Sequence, residues 1–76
     1  MMTKEIDIKN EAQVEKINRL ACEAPYEVWL CDGTGTMMLD ARSLLGLYAL
    51  IGKRAKVLTE DDINPKLVNK LVEKMA

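Results

Sequence analysis

The chain contains no histidine. Imidazole general-base chemistry, metal ligation through imidazole and phosphohistidine transfer are therefore excluded. Cysteine is scarce: Cys22 and Cys31 lie nine positions apart and form no CxxC pair. That spacing is neither a metal site nor a redox motif, and two reduced thiols are expected. No GxGxxG or Walker pattern occurs, so Gly33 and Gly35 read as turn residues rather than a phosphate cradle. Long hydrophobic runs are absent too. The longest, Leu44 to Ile51 with Gly46 inside it, is too short to span a bilayer. The opening Met1-Met2-Thr3-Lys4-Glu5 is charged at once, so no signal peptide is expected and the cytoplasm is the expected location. Nor is there an excess of one charge: 11 basic against 12 acidic residues leave a net charge of −1. That balance argues against a nucleic-acid partner and against a polybasic membrane anchor.

What is present describes a small globular domain. The 76 residues are 49% apolar and 30% charged, with no repeat or linker, and residues 1–76 read as one domain. A chain of this size hides only about 60% of its unfolded surface, so its core must be closely patterned. Lys4 to Lys9 alternates with period two, as a half-buried strand does. Asn10 caps a helix, with Gln13 placed as in a capping box. Val14, Ile17, Ala21 and Ala24 fall at helical spacing, and Pro25 ends that helix. Tyr26 to Cys31 is β-branched and aromatic. Asp32-Gly33-Thr34-Gly35 supplies the positive-φ positions of a tight hairpin, and Thr36 to Leu39 returns as a short strand.

Asp40 or Ser43 then caps a second helix with Leu44, Leu47, Tyr48 and Ile51 on one stripe. Gly52 stands where a left-handed terminator belongs. Arg54 to Glu60 reads as a fourth strand with Ala55 and Val57 inward. Asn64-Pro65 opens a last helix whose apolar face comprises Ile63, Leu67, Leu71 and Met75, with Val68 and Val72 beside them. The order β-α-β-β-α-β-α, too short for two helical layers, implies an α+β fold: an open-faced two-layer sandwich with one sheet face covered. Val28 and Leu30 should point inward, leaving Glu27, Trp29 and Cys31 on the bare face.

The segment Ala41-Arg42-Ser43-Leu44-Leu45-Gly46 resembles the strand-to-helix motif of the HPr family, small phosphocarriers of the bacterial sugar phosphotransferase system, with Arg for the usual Lys. Element order and length agree over nearly the whole chain, most specifically from Val28 to Val57. The resemblance implies the HPr-like open-faced β-sandwich, a four-stranded antiparallel sheet with three helices on one face. It also exposes a departure. The family's Gly-Leu-His-x-Arg-Pro-Ala loop is replaced here by Lys9-Asn10-Glu11-Ala12-Gln13-Val14-Glu15-Lys16. The phosphoryl-carrying histidine, its arginine and the proline are gone. Glu11 and Glu15 would repel a phosphoryl group, and Arg19, the nearest basic residue, lies inside the predicted helix.

The resemblance singles out Ser43, which matches the serine that an ATP-dependent HPr kinase phosphorylates in many Gram-positive bacteria to make a transcriptional co-regulator. A histidine-less paralogue serving only that role is known in the family. Serine is equally a good N-cap with no kinase involved. Leu44, Leu45 and Tyr48 match positions that help form the family's docking patch, although Leu44 and Tyr48 also suit a core stripe. Gly46 inside this helix points to close packing or a short helix. Leu30-Cys31-Asp32-Gly33-Thr34 is only superficially similar to the haloacid-dehalogenase opening, because Leu30 occupies the place of the nucleophilic aspartate. No catalytic, metal or cofactor site is expected. The expected function is a non-catalytic regulatory module that binds protein, with an HPr-type kinase or a transcriptional regulator as partner. The alternative is an assembly module that forms a homodimer through its open sheet face or an edge strand.

Overall fold

The computed structural model describes residues 2–35 and 37–76, with the side chains of Met2 and Thr3 left out. Its elements follow the order β1 (Met2–Asp7), α1 (Glu11–Glu23), β2 (Trp29–Asp32), β3 (Met38–Asp40), α2 (Leu44–Tyr48), β4 (Arg54–Thr59) and α3 (Pro65–Met75). The strands form one antiparallel sheet in the order β1-β4-β2-β3. Two split β-α-β units therefore interleave: β4 inserts between β1 and β2, and β2 between β3 and β4. Helices pack on one face over a core of Ile6, Val14, Ile17, Ala21, Leu30, Leu47, Ala55, Val57, Leu71 and Met75. This is the open-faced α+β sandwich expected from the element order. Among the described residues no helix is long and apolar enough to cross a membrane.

Local chemistry explains most boundaries. Asn10 Oδ1 accepts from Gln13 N at 2.9 Å and starts α1. β1 ends at Asp7 rather than Lys9 because Lys9 N is drawn to Gln13 Oε1, at 2.8 Å, instead of a strand. Ile8 keeps sheet-like bonding all the same, donating to Lys53 O and accepting from Gly52 N. β2 begins at Trp29, three residues later than the alternation suggests, because its partners run out: Trp29 faces Asp40 and Leu58, the latter one residue from the end of β4. Among the described residues between β2 and β3, Gly35 alone takes a positive φ, of 74°, and the connection from Asp32 to Met38 is longer than a two-residue hairpin turn. Thr36, expected to open β3, lies outside the described residues, and β3 runs Met38–Asp40 instead of 36–39.

α2 is only five residues long, and the chain continues to Gly52 through tighter turns. Leu50 N donates to Leu47 O at 3.0 Å, three residues back. A three-residue turn puts positions three apart on one side. Leu50 is thus fully buried with Leu47, while Leu44, Tyr48 and Ile51 are only half-buried, which corrects the stripe read at 3.6-residue spacing. Gly52, with φ of 86°, is the expected left-handed terminator. In α3, capped by Asn64 with Pro65 in the first turn, the core face is Val68, Leu71 and Met75. Leu67, expected in that face, is 51% exposed.

Candidate functional site

The residues singled out by sequence lie at the β3–α2 junction, whose shape is set by a dense set of short-range bonds. Asp40 Oδ1 accepts from Arg42 N at 2.9 Å, closing an Asx turn. Ser43 N returns to Asp40 O at 2.9 Å. Ala41, fully buried, is pinned from both sides: its N–H donates to Val28 O at 3.0 Å, and its carbonyl accepts from Asn18 Nδ2 at 3.3 Å. α2 therefore leaves a turn fastened to both β2 and α1.

Ser43 occupies the N-cap position with an extended backbone, as expected. Its side chain nevertheless makes no capping bond, and the residue is exposed. The Asx turn next to it is closed by Asp40 instead, so of the two candidate caps neither side chain bonds to a helix amide. Arg42 is not free to serve a phosphate at Ser43 without rearrangement. Its guanidinium already pairs with Asp40 at 2.9 Å and Glu27 at 2.8 Å. The Asp40 carboxyl is held below its ordinary value, first by the side-chain hydrogen bond from Arg42 and then by that residue's backbone N–H. The cluster Glu27–Arg42–Asp40 was not read from sequence, although the Asp-x-Arg spacing across a turn was its visible signal.

Leu45 is 85% exposed and points away from the core. Leu44 and Tyr48 flank it half-buried, packed against the core yet reaching the surface. Partial burial, followed by the neighbouring carboxylates of Glu11 and Glu15, raises the Tyr48 hydroxyl above its ordinary value. The stripe of α1 beside α2 is thus acidic near Tyr48. Of the four residues named from sequence, Ser43 and Leu45 are exposed and Leu44 and Tyr48 half-buried.

The β1–α1 junction, where the resembled family has its histidine loop, is occupied by a structural clasp. Gln13 is buried and engages both ends of its amide. Its Oε1 accepts from Lys9 N, and its Nε2 donates to Asp7 O at 2.7 Å and to Met75 O at 3.1 Å. Sequence reading saw only the capping role, because the partner on α3 is 62 positions away. The two thiols lie apart, Cys22 exposed on α1 and Cys31 buried in β2, and both are free. Among the described residues no cluster of three or more His, Cys, Asp or Glu side chains is placed to hold a metal ion.

The open sheet face carries Trp29, Cys31, Lys56 and Leu58, which share one side of the register. Trp29 is half-buried there, as the alternation of β2 implied, while Cys31 and Leu58 are almost covered. Met38 on the edge strand is 57% exposed.

No protein-family model matches the chain, and no curated protein sequence is significantly similar to it. Among solved structures, the crystal structure of HPr-C-His from Thermoanaerobacter tengcongensis is similar with a TM-score of 0.73 and 20% sequence identity, over 99% of this chain and 91% of that one. The chain therefore has an HPr-like fold.

Proposed function

We propose that this chain is a non-catalytic, HPr-like regulatory module of the bacterial sugar phosphotransferase system, resident in the cytoplasm, that binds a protein partner through α2 and cannot act as a histidine phosphocarrier. The observation that carries the reading is Leu45, 85% exposed between the half-buried Leu44 and Tyr48 on a turn pinned at Ala41. An exposed aliphatic on a rigid platform binds with little ordering cost. The missing histidine supports the rest, because a scaffold of this kind without imidazole has lost its phosphoryl acceptor. Ser43 is the regulatory position, open to an HPr-type kinase because its hydroxyl is not engaged as a cap. A phosphate there would add a dianion beside Leu45 and alter docking of a transcriptional regulator.

The test is incubation with an HPr kinase and ATP, read by intact mass. Gain of one phosphate that Ser43→Ala abolishes supports regulation at this site. An unchanged mass under conditions that modify an authentic HPr removes the regulatory version.

A second reading, assembly through the sheet, is favoured by the half-buried Trp29 and by Met38 on the exposed edge strand. Sedimentation at micromolar concentration separates the two. A dimer dispersed by Trp29→Ser and also by the milder surface change Met38→Lys supports assembly; a monomer excludes it.

A further inference from the structure

α3 does not bury all of its apolar residues. Leu67 is 51% exposed, whereas Val68, Leu71 and Met75 are buried. Its side of α3 faces the end of α1 across a groove of about 280 Å³, floored by Leu20, Tyr26, Leu67 and Leu71. Lys70 and Lys74 stand on one wall and Glu23 on the other. Among the described residues no carboxylate pairs with either lysine. Tyr26, half-buried, adds a phenol ring to the lining.

We infer that this groove between α1 and α3 docks an amphipathic helix of a partner protein that carries acidic residues beside its apolar stripe. The site is distinct from the α2 surface and does not depend on it. Three features select this occupant. The groove is open to solvent, whereas a small ligand needs enclosure on most sides. Its walls are a helix and a helix end, the setting in which a third helix lays its apolar face. Lys70 and Lys74 lie four residues apart, about 6 Å along the axis, which matches carboxylates spaced i and i+4 on a helix running alongside. Two lysines against one glutamate set the sign of the complement, and the polar rim selects partner and register.

The experiment uses the nitrogen-15-labelled chain and two synthetic helical peptides with the same leucine stripe, one flanked by glutamates and one by lysines. Saturable amide shifts are expected in residues 20–26 and 67–74 with the glutamate peptide, with binding about tenfold weaker for the lysine peptide. Lys70→Glu with Lys74→Glu should invert that preference. Leu67→Ser, at an exposed position that leaves the core intact, should weaken binding several-fold. Equal response to both peptides, a preference unmoved by charge reversal, shifts confined to residues 44–48 or no shifts at millimolar peptide would overturn the proposal.

Discussion

Ser43 stands at the head of α2, yet its hydroxyl caps nothing. Replacing a working serine cap by alanine costs about 1 kcal/mol. Ser43→Ala is therefore expected to change stability by less than about 0.5 kcal/mol, read from urea midpoints. A loss near the full cap value would show that the hydroxyl is engaged. The position was legible in the sequence, because serine before an aliphatic run marks a helix start. The direction of its side chain was not, since a rotamer depends on neighbours that only the fold supplies. Asp40 belongs to the same junction. Its carboxyl is depressed in the folded state by Arg42, so the stability it contributes is fully present above the unfolded value of about 3.9. That contribution is lost as pH falls through the lower folded value. Side-chain carbon NMR should find the Asp40 midpoint below that of an ordinary aspartate, and Arg42→Gln should return it. An unmoved midpoint in the variant would contradict the pairing. Both partners are largely exposed, so the associated stability is small.

α2 and α3 show how far periodicity reaches for an element. In α2 and the turns after it, large apolar residues stand at 44, 45, 47, 48, 50 and 51, a density that fits a turn of 3.6 residues or of 3.0 equally well. The end of the element, where Leu50 is taken into the core, was therefore not decidable from spacing. The terminator was, since Gly52 holds a φ of 86° that other residues adopt at a cost of about 1–2 kcal/mol. Gly46 differs. A Cβ there would meet Leu39 Cδ2 and Ser43 Oγ at 3.4 Å, ordinary contact with side-chain ends. Alanine has better helix propensity by about 1 kcal/mol. Gly46→Ala should therefore stabilise by up to about 1 kcal/mol, whereas Gly52→Ala should destabilise by about 1–2 kcal/mol, both measured by denaturant unfolding. Stabilisation by the second change would refute the backbone argument. In α3, positions 63, 67, 71 and 75 fit one stripe and 68, 71 and 75 another. The second is buried and Leu67 is left to line the groove beside Lys70 and Lys74.

Across the whole molecule, a net charge of −1 conceals an uneven placement of charge. Glu11, Glu15, Glu27 and Asp40 surround the α2 platform with Arg42 among them, while Lys66, Lys70 and Lys74 run along α3. The balance of charge in the composition argues against a nucleic-acid partner and a polybasic anchor, but a sum carries no positions. The architecture was far more legible, since each strand and helix announced itself and one covered sheet face followed from their number. Long-range polar contacts left no such trace, and Gln13 is the clearest case. Its bond to Met75 O spans 62 positions and joins the start of α1 to the end of α3. Gln13→Ala should cost about 1–3 kcal/mol through the unmet backbone groups, and hydrogen exchange should accelerate first in the last turn of α3. Uniform acceleration throughout would deny it a local role. With the amide in place, α3 cannot peel from its far end without first opening that latch. A single side chain on α1 thus makes the last turn of α3 open together with the start of α1 rather than on its own.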